Sequence, residues 1–505
     1  MPVFQQGQIN TTALIVPDVY VQIISPQVSL LNGVPTNILG VVGTAQWGPV
    51  NSPTTVSNYA DFQRLFGNMQ PRKYDAGSQV AAAVLQGANN FRVVRVTDGT
   101  DTAANVVIQT TGLTLTASHT GTLGNFIKAT LSAGAQANTV RVVVSVPGLS
   151  PEVFDNIGSG LTGNALWLAI ANAINNGIGG LQGPSEYVVA TAGVATAVPT
   201  LTTYTLAGGL DGVTTITSAV LVGADTTNRT GMYALRNTGT SIALLADADD
   251  SAQWTLQAAY GLSEGTYMIG TGPSGDTITN ALSVKSTAGI DSYAFRLMFG
   301  DWALFQDTIN GIQRLISPQG FIAGMLANLS PEQSALNKPM FGIIGTQKTL
   351  KNQTYSSAEL QQLQQAGIDV ITNPIPYGSV FGSRLGHNTS SNAVINGDNY
   401  TRLTNYLAYT FNAGMGKSIG KLQSKDEQRR AASTLGAFLE AMKGQGMIDD
   451  YSVQINDANN PPNRVALGYM QADVQVRYLS VIEKFLINLE GGQSVTVNRV
   501  QTTNV

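Results

Sequence analysis

The sequence contains no cysteine, so disulfides, thiolate metal sites and cysteine nucleophiles are excluded. Histidine is nearly absent as well: His119 and His387 are the only two, both in polar Thr, Asn and Gly surroundings, and two lone imidazoles make no zinc site. Charge is scarce. Only 11% of residues are charged, against roughly 25% in soluble domains, and 27 basic against 31 acidic residues leave a net charge of −4. That near-balance offers no field to hold a polyanion, so direct nucleic-acid binding is not expected. No apolar run approaches the ~18 residues of a membrane span, so membrane insertion is not expected either. Residues Met1–Gln6 lack the basic flank and apolar centre of a signal peptide, and the expectation is a soluble protein made in a cytoplasm.

What is present is a chain of 505 residues, 43% of them hydrophobic, rich in Gly, Asn, Thr, Ser and Gln. That apolar content excludes intrinsic disorder. At about 150 residues per domain the length suggests roughly three domains. A surface of neutral amides and hydroxyls is expected where much of it is covered by other protein.

Along the chain, Leu14–Ile24 reads as an extended segment with Val19, Val21 and Ile23 on one face at period two; Pro17 demotes its first part to an edge or arm. Ile38–Gly43 is a short apolar run between glycines, the pattern of a strand buried on both faces. Helical stretches at 59–66 and 77–87 and a strand at 91–96 complete an α/β opening. From Asp101 to Gly209 the texture turns to alternating Thr, Ala, Gly and Val, with one helix near 166–175, as in an inserted, mostly β domain. The α/β texture returns at 242–245 (strand), 251–260 (helix, capped at Gly261), 267–269 and 293–299 (strands). Leu403, Leu407 and Phe411 then mark one apolar helix face. A second helix from about Asp426 carries Ala432, Leu435, Leu439 and Met442. Strands are expected at 474–478, 485–489 and 494–497. The fold class expected is α/β and α+β multidomain: an arm at 1–28, a split α/β domain at 29–100 plus 210–373, a β-rich insert at 101–209, and an α+β domain with a terminal arm at 374–505. The isolated strands near each end have little of their own domain to pair with, and a neighbouring subunit is one solution.

Catalytic patterns are present only as look-alikes. Gly416-Lys417-Ser418 ends a phosphate-loop pattern, but Phe411 stands where its first Gly belongs and a helix precedes it instead of a strand. Gly261-Leu262-Ser263-Glu264-Gly265 matches a nucleophile elbow, with Asp301, Asp307 and His387 downstream, yet the elbow needs a preceding strand. Asp247-Ala248-Asp249-Asp250 suits a helix N-terminus better than a calcium loop, whose Gly and distal Glu are missing. No catalytic residue, metal site or cofactor is assigned. The densest charge is Lys417–Arg430; if it is helical, Lys421, Lys425 and Arg429 fall at i, i+4 and i+8, either an ordinary solvated face or, with Arg430, an electrostatic docking surface.

Several motifs in order resemble the contractile tail sheath proteins of myophages and related injection machines. Val16–Val21 is similar to the family's Pro-Gly-Val-Tyr-Val segment, with Asp18 for Gly. Val34–Ala45, Trp47–Asn51, Asp61-Phe62 with Phe66-Gly67, and Val93–Val96 follow. Gly121-Thr122-Leu123-Gly124-Asn125 has Leu for the family's Trp, Leu206–Gly212 is similar to Leu-x-Gly-Gly-x-Asp-Gly, and Ser317–Gly324 keeps the Pro and the Ala-Gly end of a further motif. The resemblance implies a subunit of stacked six-membered rings around a tail tube, bounded by baseplate and tail terminator proteins, that contracts to drive the tube through a host envelope for genome delivery. It implies a place in the virion tail after assembly in the bacterial cytoplasm, and terminal strands donated to neighbouring copies. Those map to Val19, Tyr20, Val21, Gln22 and Ile23, and to Ser494, Val495, Thr496 and Val497. Lys421, Lys425, Arg429 and Arg430 are then expected to face the tube. A tail-tube or capsid component and a hydrolase at Ser263 remain the alternatives.

Overall fold

A computed structural model describes residues 3–6, 20–23 and 31–489. At its centre is a seven-stranded sheet in the order Ile368–Asp369, Phe295–Met298, Tyr267–Thr271, Ile242–Leu245, Leu39–Gly43, Phe91–Arg95, Thr54–Val56. All neighbours are parallel except the Thr54–Val56 edge. Leu39–Gly43, Ile242–Leu245 and Tyr267–Thr271 are buried at every position, which is why they read as unbroken apolar runs. Alternation sends Leu39 and Val41 to one face, where Phe62, Val80, Phe321 and Leu326 pack, and Val42 and Leu245 to the other, against Trp254, Ala258, Ala281 and Leu363. The helices Ala76–Leu85 and Gln319–Asn328 cross closely on the first face: a Cβ on Gly324 would lie 2.5 Å from Ala83 Cα. That contact is the physical content of the Ala323-Gly324 motif.

The chain leaves this sheet after Phe91–Arg95 and returns at Ile242–Leu245. Between them lie a four-stranded antiparallel sheet (128–133, 140–145, 152–157, 203–205), a three-stranded one (105–108, 113–117, 188–192) and the helix Gly163–Asn176, all around Leu115, Val142, Phe154 and Trp167. Trp47, from the central sheet's first loop, inserts into this cluster and stacks edge-on against His119 at 5.3 Å. The joint is made by the sequence motifs. Asn125 donates to Gly209 O at 2.9 Å and accepts from Gly209 N at 2.7 Å, while Asp211 accepts from Thr122 N at 2.6 Å and pairs with Arg72. Buried Arg95 donates to Gly48 O and Thr120 O. Gly121 sits at φ 129°, and a Cβ there would lie 2.1 Å from Gln46 O.

Beyond the sheet, the helices Asp398–Met415 and Lys425–Gly444 pack Leu403, Leu407, Phe438, Leu439 and Met442 under an antiparallel pair, Ile448–Gln454 with Asp473–Tyr478. This unit stands apart only from Asp398 onward. Residues 374–397, expected to belong with it, pack instead on the central sheet: Leu385 lies in its core and Thr389 N donates to Phe295 O.

Two local expectations are corrected. The 254–264 helix runs through Gly261 to a left-handed cap at Gly265; Gly261 is there because a Cβ would meet Ala294 O at 2.9 Å, not because the helix stops. Phe485, Ile487 and Leu489 form no strand and are exposed, since alternation supplies no partner ladder. Tyr20–Ile23 is a strand, paired along one edge in parallel with Val3–Gln6 of the same chain. Val19 and Ser494–Val497 lie outside the described residues.

Candidate functional site

A doubly wound sheet binds ligands where the strand order reverses, here between Leu39–Gly43 and Ile242–Leu245, beside the N-terminus of the Ala76–Leu85 helix. In this chain that crevice is filled by its own polar groups. Asp75 caps the helix, accepting from Ser78 N at 2.8 Å, so a carboxylate already occupies the position a bound anion would take. Gln79 donates to Asp247 at 2.9 Å and accepts from Gly320 N at 2.7 Å. Ser317 N donates to Asp247 at 3.0 Å, and Gln319 donates to Ile269 O at 2.7 Å. Burial pushes the Asp75 carboxyl up to about 6 and raises that of Asp247.

The catalytic look-alikes do not assemble. Ser263 lies inside a helix and donates to Tyr260 O at 3.0 Å. His387 is bonded to Glu483 at 2.7 Å, Asp301 accepts from Tyr355 and Lys348 N, and Asp307 holds Arg314. Gly416–Ser418 is a 3₁₀ turn following a helix, with Ser418 donating to Glu427. In 247–250, Asp250 caps the next helical turn, as expected of an Asp-rich N-terminus, and Asp249 pairs with Lys73. Among the described residues, no three His, Cys, Asp or Glu are placed to hold a metal, and no helix is long and apolar enough to cross a membrane.

The distinctive chemistry lies in the C-terminal unit. Arg296, fully buried on the central sheet, donates to Asp398 at 2.6 Å and to Ser383 at 2.7 Å, and pairs with Asp369. Burial opposes its charge, but the Asp398 and Asp369 carboxylates outweigh that and hold the guanidinium protonated. Asp398 opens the Asp398–Met415 helix and also accepts from Tyr267 at 2.7 Å, so the unit is anchored to the sheet by a buried ion network in which Arg296 Nε is left without a partner. Arg402, one turn on, donates to Leu329 O and Ser330 O; burial pushes it down to about 10.

The basic stripe does not form as spaced. Ser424 caps the second helix, which begins at Lys425, so Lys421 lies in the preceding turn and the three cations share no helix face. Each of the four residues has an acidic partner: Lys421–Glu427 at 2.9 Å, Lys425–Asp457, Arg429–Asp426 at 3.3 Å and Arg430–Glu427 at 3.2 Å. Lys425–Asp457 and Arg429–Asp426 are exposed pairs, whereas Glu427, which takes both Lys421 and Arg430, is itself buried. The two-stranded sheet beside them, Ile448–Gln454 with Asp473–Tyr478, is the longest of the two-stranded sheets among the described residues. Among the described residues, both its outer edges are unpaired, whereas stable sheets normally have three or more strands.

No protein-family model and no curated protein matches the chain. Solved structures do. A sheath tail protein of Listeria innocua superposes with a TM-score of 0.59 at 13% identity, covering 89% of this chain and 96% of that one. A sheath tail protein of Desulfitobacterium hafniense gives 0.58 at 16% identity over 86% and 93%. The PVC sheath of an extracellular contractile injection system, in its contracted state, gives 0.55 at 11% identity over 96% and 99%. The open-edged terminal unit, the filled crevice and the insert between sheet strands therefore belong to a chain with the fold of contractile tail sheath proteins.

Proposed function

We propose that this chain is the subunit of a contractile tail sheath, polymerising helically as stacked six-membered rings around a tail tube. Its contraction drives the tube through the host envelope for genome delivery. The observation that carries the reading is the Ile448–Gln454 and Asp473–Tyr478 pair, a sheet with two free edges among the described residues. Val19–Ile23 of one neighbour and Ser494–Val497 of another complete it to four strands. Strand addition gives backbone hydrogen bonds that fix connectivity, and the repeated heterologous contact generates a helix. The likeness to a contracted sheath over nearly the whole of both chains supports the same reading.

The role is structural and needs no cofactor. The extended sheath is a kinetically trapped state, released at the baseplate into a compaction that buries more subunit surface. The β-rich insert projects outward, and the end of the C-terminal unit bearing Lys421–Arg430 faces the tube. A tail terminator closes the far end, and assembly takes place in the bacterial cytoplasm before the sheath is part of the particle's tail.

Electron microscopy of the purified chain tests this: long hollow helical tubes are expected, and discrete small particles would count against it. Deleting residues 1–24 or 492–505 is expected to leave a soluble subunit that forms no long sheath. Normal polymerisation of both truncations would refute the strand mapping.

A further inference from the structure

The last strand of the C-terminal unit, Asp473–Tyr478, ends on a well-held residue: the Tyr478 ring packs edge-on against Tyr400 at 5.8 Å, and its hydroxyl lies 3.1 Å from that of Thr404. Two polar contacts hold the five residues that follow. Asn399 donates to Leu479 O at 3.1 Å, and His387 Nε2 donates to the Glu483 carboxylate at 2.7 Å. The two anchors belong to different units, Asn399 to the Asp398–Met415 helix and His387 to the 386–397 stretch laid on the central sheet. Residues 479–483 therefore strap the C-terminal unit to the central domain. Little else fastens the strap. Among the described residues, 480–483 make no backbone hydrogen bond, Ile482 is 77% exposed, and a cavity of about 540 Å³ opens alongside, between Leu385, Tyr400 and Val481. With neither ladder nor apolar burial, such a segment belongs to the low-stability part of a protein, which opens locally at small cost. The fastening is nonetheless specific: His387 is buried, and Glu483 is the only acid between Asp473 and Glu490. Past it the chain touches little, with Phe485, Leu486, Ile487 and Leu489 71–89% exposed.

We infer that residues 479–483 are a releasable strap that sets the free length of the C-terminal arm, with the His387–Glu483 bond as its clasp. When the clasp is closed the arm starts at Glu483, 11 residues before Ser494; when it is open the arm starts at Tyr478, 16 residues before Ser494. At about 3.3 Å per extended residue, opening adds about 17 Å of reach. The clasp stands on the geometry of the single chain. The use of the added length rests on the sheath reading above, in which the arm has to stay joined to a neighbour while subunits move past one another. Slack let out by the strap supplies that movement without loss of any bond in the donated strand. Tyr478, held by Tyr400 and Thr404, is the fixed end against which the strap opens.

The test uses the full chain, whose lack of cysteine allows two spin labels to be placed cleanly, at Val394→Cys on the central domain and Leu486→Cys on the arm, both more than 80% exposed. Pulsed electron resonance on the unassembled subunit is expected to give one narrow distance. Adding Glu483→Ala, a change at a partly exposed side chain, should broaden that distribution and extend it by up to about 17 Å, with an unchanged thermal melt. Glu483→Gln should stay close to the parent, because its amide oxygen still accepts from His387 Nε2. A parent distribution that is already broad, or one that Glu483→Ala leaves unchanged, would overturn the clasp. Polymerisation of the unlabelled chain then tests what the length is for. A tether lengthened from 11 to 16 residues lowers the effective concentration of the arm about twofold, so Glu483→Ala should raise the concentration needed for sheath formation by that factor, and Glu483→Gln should not. An unchanged threshold with an opened strap would overturn the role in arm length. If the parent chain forms no sheath at all, the sheath reading fails, while the clasp is still decided by the distance measurement.

Discussion

Asp75→Asn isolates a single buried charge at the crevice that this fold ordinarily leaves open to ligands. The carboxylate is 1% exposed; its Oδ2 accepts from Ser78 N, its Oδ1 has no partner, and Arg314 stands 3.8 Å away. Burial outweighs the Ser78 bonds and the two nearby arginines and pushes the group from 3.8 up to about 6. At ~1.4 kcal/mol per pKa unit, holding it ionised costs about 3 kcal/mol. The sign follows from proton uptake. Between 3.8 and about 6 the folded chain binds more protons at this site than the unfolded one. Stability is therefore greatest at the acid end of the window, falls as pH rises through it, and levels off above it. Asparagine keeps an acceptor for Ser78 N and removes the charge. The variant is expected to be about 1–3 kcal/mol more stable than wild type near pH 7.5, with the gain falling to about a third of that near pH 4.5 and vanishing only below about pH 3. Hydrogen exchange of the Ala76–Leu85 amides is the suitable assay, because unfolding of a chain with several units is not two-state. A gain equal at both pH values, or a loss near pH 7.5, would show that attraction to Arg314 and Arg72, and not desolvation, governs this carboxylate.

Removing the cation of the other buried network has the opposite sign. Arg296→Met strands Asp369 and Asp398 without their guanidinium and is expected to cost about 3–5 kcal/mol. Proteolysis in the 386–398 segment should accelerate accordingly, and an unchanged cleavage rate would argue against the network as the anchor of this unit. Gly121→Ala places a Cβ against Gln46 O at a positive φ and is expected to loosen the joint to the insert. The readouts are faster cleavage near residues 97–101 and a red shift of Trp47 emission, with the central sheet unaffected.

The elements readable from sequence were those whose pattern carries its own explanation. Leu39–Gly43 and Ile242–Leu245 are apolar throughout because both faces are covered, and Leu403 and Leu407 mark a helix stripe because only one is. The same reasoning failed wherever a residue served a distant partner. Gly261 looked like a helix stop but is small to admit Ala294, and the alternation at 485–489 had no ladder to join. Lys421, Lys425 and Arg429 were spaced for one helix face, yet a serine cap three residues after Lys421 starts the helix too late for it.

By itself the sequence determined the absence of thiol chemistry, the shortage of charge, the parallel core strands and the ordered glycine-bearing motifs. These follow from composition and from periods of two and 3.6 residues, which act locally. Only the tertiary structure decided what the motifs are for. It brought Gly121, Asn125, Gly209 and Asp211 together as a joint, filled the ligand crevice with Gln79, Asp247 and Gln319, and tied Arg296 to Asp398 across 102 residues. It also set Lys421, Lys425, Arg429 and Arg430 beside Glu427, Asp457 and Asp426. Burial and charge pairing depend on neighbours in space, and a one-dimensional pattern does not contain them.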